Sequence, residues 1–350
     1  MKRLLRYAGR LLALAAICIL GLLSPVIYVE TMCRGSATAG PHEALIASEF
    51  HRPETRTLMT YPEWHIVHAY DDYARVIATG DPHDYGYLRA VDGFWSSLCS
   101  LTERVSDLGE VDGATKQMVY VIGVSFTAEL LLKGAYEETI GRLFAALRGP
   151  DQAPLDFLSA EQAASYAAFL QQTPWYKWRF REDRDALREQ ASSATRDRER
   201  LFALGIEYGV KATYAEVIAA AVARVGQDQL TLRMVVRGVD AEDLARQAGV
   251  TVLAENAAGI LIEAPRYREL TNLLLRWAQA GADFVEIAGN DDIMFTALSA
   301  ASEAPGAIYS RPRQGSEDYR HLIVVKVSNL ADNLRSLGAN GLTLEHIHDY

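Results

Sequence analysis

The sequence predicts an α+β protein in three parts: an N-terminal transmembrane helix, an all-α helical domain and a C-terminal α+β domain of element order βαββαβ. Three observations predict it. Leu11–Val29 is a run of nineteen residues without a charge. Residues 60–225 repeat apolar side chains at helical spacing. After Gly226-Gln227-Asp228 the spacing changes to the alternation of strands. The expected divisions are a basic tail 1–10, an anchor 11–29, a connector 30–59, a helical domain 60–226 and an α+β domain 227–350.

The anchor comes first. At about 1.5 Å per residue it reaches roughly 28 Å, close to the hydrocarbon thickness of a bilayer. Lys2, Arg3, Arg6 and Arg10 precede it; Glu30 and a single cation, Arg34, follow. This positive-inside bias expects a cytoplasmic N-terminus, with the rest of the chain across the membrane. A cleaved signal peptide is the alternative, and Ala37-Thr38-Ala39 has the small-x-small form of a cleavage site. It lies far beyond the apolar run, and nineteen residues are long for a signal core. An uncleaved signal-anchor is therefore preferred. Val29-Glu30-Thr31-Met32 before Cys33 lacks the small residues of a lipidation site. Arginine outnumbers lysine 29 to 6, a bias associated with GC-rich bacterial genomes. The expected location is a bacterial inner membrane.

Setting aside those five cations and Glu30 leaves 30 Lys+Arg against 44 Asp+Glu, a net charge of −14 for residues 35–350. So acidic a domain is a poor nucleic-acid binder, because phosphate contacts dominate such affinity. The expected partners are the lipid bilayer through residues 11–29 and a protein partner. Cys18 lies in the span, which leaves Cys33 and Cys99 in the oxidising compartment. A Cys33–Cys99 disulfide is one reading and two unrelated thiols the other, since sequence does not give their separation.

In the helical domain, Thr60-Tyr61-Pro62-Glu63 reads as a capping box that opens a helix running to Thr79. Residues 85–108 bury Leu88, Val91, Trp95, Leu98 and Leu101. Residues 115–147 form the longest apolar helix, too polar at Glu129 for a second span. Ser159-Ala160-Glu161-Gln162 repeats the capping-box form, and further helices are expected from Glu182 and over Ile206–Val225.

In the last part, residues 230–238, VTVLAEN, GILIEAP and 283–288 read as strands, with helices at 240–249 and 267–279. That order is the ferredoxin-like plait, a topology that hosts many functions and implies none. Residues 321–327 and LTLEHIHDY are further strands around a helix at 329–337, and IMFTALSA is a strand or helix start. They extend the same sheet or build a partial second plait.

Several residues carry candidate chemistry. In TYPEWHIVHAYDDY, Tyr61, Trp64, His65, His68 and Asp72 fall on one helical face. The sharp reading is a metal or haem site with His65 and His68 as ligands and Asp72 as ligand or orienting group. The preferred reading is an aromatic helix packed at a domain interface, because the coordination sphere is incomplete. Glu129, Lys133 and Glu137 recur every four residues, as a salt-bridge ladder or as a tuned general base. Trp175, Tyr176, Trp178 and Phe180 alternate with Lys177, Arg179 and Arg181, a composition suited to a membrane interface if extended. Packing back on the helices is the competing expectation. His346 and His348 form an H-x-H pair too short of ligands for a metal.

No G-x-S-x-G, Walker, G-x-G-x-x-G or H-E-x-x-H pattern occurs. No cofactor is assigned. The expected function is partner or ligand binding by extracytoplasmic domains on a single-pass anchor. The alternative is a metal- or haem-dependent enzyme or redox protein using the 60–73 helix and Glu129.

Overall fold

The computed structural model describes residues 2–34, 42–52, 54–59, 61–106, 108–109, 111–225 and 230–348. Thr60 of the expected capping box, Ala37-Thr38-Ala39 and the turn at 226–228 lie outside them. The chain is a mixed helical and sheet protein with two four-stranded antiparallel sheets in its C-terminal part.

Helix α1 (Lys2–Met32) carries the apolar run, and Leu12–Met32 is long and apolar enough to cross a membrane. Its last turn is built into the folded part. Val29 and Cys33 are buried. The Tyr120 hydroxyl donates to Glu30 at 2.7 Å, and Lys116 lies 3.2 Å from the same carboxylate. Cys33 and Cys99 are joined by a disulfide with Cα atoms 5.1 Å apart.

The helical part follows as α2 (Glu54–Met59), α3 (Tyr61–Ile77), α4 (Tyr87–Val105) and α5 (Gly113–Tyr136). A π-helical turn, Glu137–Gly141, joins α5 to α6 (Arg142–Arg148). Then come α7 (Pro154–Leu170), α8 (Phe180–Gln190) and α9 (Thr195–Val225). Asp112 caps α5 by accepting from the Thr115 amide at 2.9 Å. Stretch Gly113–Arg148 is also long and apolar enough to cross a membrane, but α5 buries Val119, Phe126 and Leu130 in the helical core.

Four sequence expectations change here. Leu88, expected inside, is 69% exposed, because α4 turns Trp95, Leu98 and Leu101 to the core instead. Helix α7 begins at Pro154, not Ser159. Proline suits the first turn, and the Asp156 carboxylate accepts from the Ala153 amide at 3.0 Å. Ser159 instead donates to the Asp156 carbonyl inside the helix. Residues 206–225 are not a separate helix but the continuation of α9. Residues 175–181 are not extended: Trp175–Lys177 is a 3₁₀ turn and Phe180 opens α8.

The C-terminal part runs β1 (Thr231–Arg237), α10 (Ala241–Ala245), β2 (Thr251–Asn256), β3 (Gly259–Pro265), α11 (Arg268–Gln279) and β4 (Asp283–Ile287). Its sheet order is β2-β3-β1-β4. The remaining strands are β5 (Asp292–Ser299), β6 (Ala307–Pro312) and β7 (Tyr319–Lys326); then come α12 (Val327–Ser336) and β8 (Thr343–His348). They form a second sheet of order β6-β7-β5-β8, the same permutation of first, second, third and fourth strand. IMFTALSA is therefore a strand, and these strands pair with one another rather than with the first sheet.

The second sheet is covered on both faces. Ile293, Phe295 and Ile347 join α11 and α12 in one apolar core, with Leu274 and Leu330. Met294 and Leu322 join the core of the helical part, with Trp64 and Phe94. Period-two alternation explains why neighbouring residues of β5 enter different cores. It also explains why β5 reads as a nearly continuous apolar run.

Candidate functional site

The face of the second sheet that meets α3 gathers much of the unusual chemistry of this chain. Tyr61, Trp64, His68 and Asp72 recur along one stripe of α3, and all four are buried. Opposite them lie His346 and His348, two residues apart on β8 and therefore on one face. Trp64 stacks on His346 with ring centroids 3.6 Å apart. Tyr61 meets His348 edge-on at 5.2 Å, and the two imidazoles are 4.9 Å apart.

A charged row continues from the rings. His68 Nε2 is 3.6 Å from a Glu345 oxygen. Glu345 accepts two hydrogen bonds from the Arg320 guanidinium, at 2.6 and 2.8 Å. Arg320 and Arg313 approach Asp72 at 3.9 and 3.7 Å, and the Gln314 amide donates to Asp72 at 3.1 Å. A β-bulge allows Glu345 to join this row. Thr296 pairs with His346 and Ala297 with Leu344, so Glu345 is the extra residue.

Burial sets the protonation states. It pushes the His348 imidazole down to about 3, and it lowers His346 and His68 well below the ordinary histidine range. Positive Arg320 adds to the shift of His68. Burial also raises Asp72 against the pull of Arg320. For Glu345 burial pushes up, but Arg320 outweighs it and holds the carboxyl below its usual value. The result is an Arg320–Glu345 ion pair beside neutral imidazoles. His346 Nδ1 shares a 3.1 Å hydrogen bond with the Thr271 hydroxyl. His68 Nε2, His346 Nε2 and both His348 nitrogens are buried without a hydrogen-bond partner.

The candidate ligands His65, His68, Asp72 and Glu129 do not converge. His65 is turned toward α4, where Nε2 bonds the Ala90 carbonyl at 2.9 Å between Phe94 and Phe126. Its neighbour across one turn, His68, faces the sheet instead. Glu129 accepts from the Tyr70 hydroxyl at 2.7 Å and lies 2.9 Å from Lys211. Lys133 pairs with Glu207 and Glu137 with Arg200, so these charges bridge helices rather than form a ladder along α5. Among the described residues, the group of potential ligand atoms near enough for one ion is Cys33, Cys99 and Glu103, and both sulfurs there are in the disulfide.

The aromatic-basic segment packs back on the helices. Phe180 is buried beside Tyr166, and Trp175 and Trp178 are half-buried. The Trp178 indole donates to Asp183 at 2.6 Å. Tyr176 is also half-buried, while Lys177 and Arg179 are exposed.

A second locus escaped the sequence reading. Residues 195–200, TRDRER, look like a solvated helix start, yet Arg196, Asp197, Glu199 and Arg200 are buried. Arg200 clasps Glu137 of the π turn with bonds of 2.9 and 3.0 Å. Arg196 bonds Asp156 at 2.9 Å, and Arg148 bonds Asp156 and Asp81. This network opens on a cleft of about 460 Å³ lined by Asp81, His83, Asp84, Arg142, Arg148 and Gln152. π turns recur at functional sites, and that volume suits a small ligand. A signal was present: three arginines and four carboxylates crowd residues 196–200 and 137–138, but only the fold shows that they meet.

No family model, no curated protein and no solved structure matches this chain.

Proposed function

We propose that this chain is a single-pass membrane protein that binds a partner protein or small ligand on the outer side of a bacterial inner membrane. Helix α1 is its anchor, with the N-terminus in the cytoplasm. The observation that carries the reading is the Cys33–Cys99 disulfide, which fastens the end of the apolar helix to α4. Disulfides form and persist in oxidising compartments, which supports a folded part outside the cytoplasm. The four cations before the apolar run favour the same orientation.

Each C-terminal sheet is a ferredoxin-like plait in this proposal. The first has the full βαββαβ order, and the second lacks the helix between its first two strands. The fold permits many functions. The cleft beside the π turn is the proposed small-ligand position. The absence of converging ligands from His65, His68, Asp72 and Glu129 favours binding over metal or haem chemistry.

Two measurements test it. A phosphatase fused after Tyr350 should be active, and a fluorescent reporter there that folds only in the cytoplasm should be dark. The opposite pattern removes the orientation. Purified full-length protein should show no stoichiometric metal and no Soret band; either one would overturn the binding reading.

A further inference from the structure

Helices α5 and α9 run antiparallel. As residue numbers rise on α5 they fall on α9: Glu129 meets Lys211, Lys133 meets Glu207, and Tyr136 meets Glu199. Over residues 117–137, from α5 into the π turn, the charged residues are Glu129, Lys133 and Glu137. Each has a partner across the helix pair. Over residues 201–215 of α9 they are Glu207 and Lys211, both partnered in the same row.

The residues beside that ionic row on its outer side are mostly apolar, with Ser125 an exposed hydroxyl among them. On α9 they are Phe202, Ile206 and Val210, each four residues on. On α5 they include Val121 and Leu132. Leu132 is 74% exposed and Val210 64%. The row Tyr208–Ala212 on the opposite side of Glu207 and Lys211 turns into the core, so Ile206 and Val210 face out. Two helices thus present a joined, largely apolar face free of charge, which runs roughly 17 Å along α5 from Val121 to Leu132. Such a patch on a folded surface marks an interaction site.

We propose that this face rests in the lipid of the same bilayer that holds α1. The proposal depends on α1 being a membrane anchor. Three observations select lipid as the occupant. The apolar run of α1 ends on α5 itself, at the Glu30 contacts with Lys116 and Tyr120, one residue before exposed Val121. The face carries no charge to be stripped of water. Its edge has the make-up of a bilayer interface: Trp175 lies 5.2 Å from half-exposed Tyr214, and Lys177 and Arg179 stand exposed in the same short segment. Aromatic rings and cations settle at that depth, and apolar helix faces bind just beneath it.

The test uses the full chain in lipid vesicles, with Cys18→Ser so that a spin label reacts at one introduced cysteine. Labels at Leu132→Cys and Val210→Cys report this face, Ile19→Cys reports the anchor and Glu242→Cys reports water. Collisions with oxygen should exceed those with a water-soluble nickel chelate at positions 132, 210 and 19, with the reverse at 242. Nickel access at 132 and 210 would place the face in water and overturn the proposal. Exclusion of both reagents there would place it against protein, a second copy included, and overturn it equally. Nickel access at position 19 would instead remove the anchor on which the proposal depends.

Discussion

Trp64 of α3 stacks on His346 of β8, with ring centroids 3.6 Å apart and the planes inclined by 29°, and this pair closes the junction between the helical part and the second sheet. Both side chains are buried. Truncating a buried tryptophan removes its transfer free energy and leaves a cavity. Trp64→Ala should therefore destabilise the protein by about 3–5 kcal/mol. His346→Phe keeps a ring against Trp64 and should cost much less. Thermal melts in detergent compare them, and equal losses would show that the stack itself is not what matters.

The neutral histidines at this junction make folding sensitive to acid. His68, His346 and His348 have folded-state pKa values lowered by burial, His348 to about 3. The unfolded chain takes up protons first, near pH 6.5. Their contribution is complete above that pH and is lost as the pH falls toward the folded values. Each can add a slope of about 1 kcal/mol per pH unit between pH 6 and 4. The charged groups facing them are Glu345, Arg320, Arg313, Arg268 and Asp72. His348→Phe should make denaturation midpoints less pH-dependent over that range. An unchanged slope would mean that His348 is not held neutral in the fold.

The disulfide between Cys33 and Cys99 closes a loop with a sequence separation of 66. Chain-entropy reasoning gives about 4 kcal/mol for a loop of this size. Cys33→Ser with Cys99→Ser should lower the melting temperature. It should also make the last turn of α1 more open to protease than in the parent. Identical digestion and melting would show that the Glu30 contacts hold the joint without the covalent bond.

Arg200 is fully buried between Glu137 and Glu199. Desolvation alone would push its pKa down, but the two carboxylates outweigh it and hold the guanidinium charged. Arg200→Met leaves those carboxylates without their cation inside the helical part and should cost about 3–5 kcal/mol. Arg181 and Glu216 form a surface pair, with both side chains more than half exposed. Arg181→Met should cost less than about 1 kcal/mol, because water and salt screen such pairs. Chemical denaturation of both variants checks the ranking, and comparable losses would contradict it.

Local patterns in the sequence carried the apolar length of α1, the helical character of residues 61–225 and the change to strands near residue 230. Hydrophobic spacing decides those over a few turns, so a single stretch suffices. Cysteine count alone narrowed the disulfide to one pair outside the span. Helix starts were less legible. At α7, Ser159 and Gln162 matched a capping motif, but Pro154 and the Asp156 carboxylate supplied the actual first turn. At residues 175–181 the alternation of rings and cations suggested an extended strip, whereas contacts with Tyr166 and α9 wound it into a turn and a helix.

Which polar groups lie inside depends on the three-dimensional fold. Arg200 and Glu137 are 63 residues apart in the chain, and Asp72 and Gln314 are 242 apart. A charged residue looks solvated until a distant opposite charge is brought to it, and then burial becomes tolerable. The same rule turned His65 and His68, three residues apart on one helix, toward different neighbours. Where the chain is apolar, and with what period, is written in its residues. The fold determined that the ionic rows of α5 and α9 face each other, which leaves their apolar rows outside.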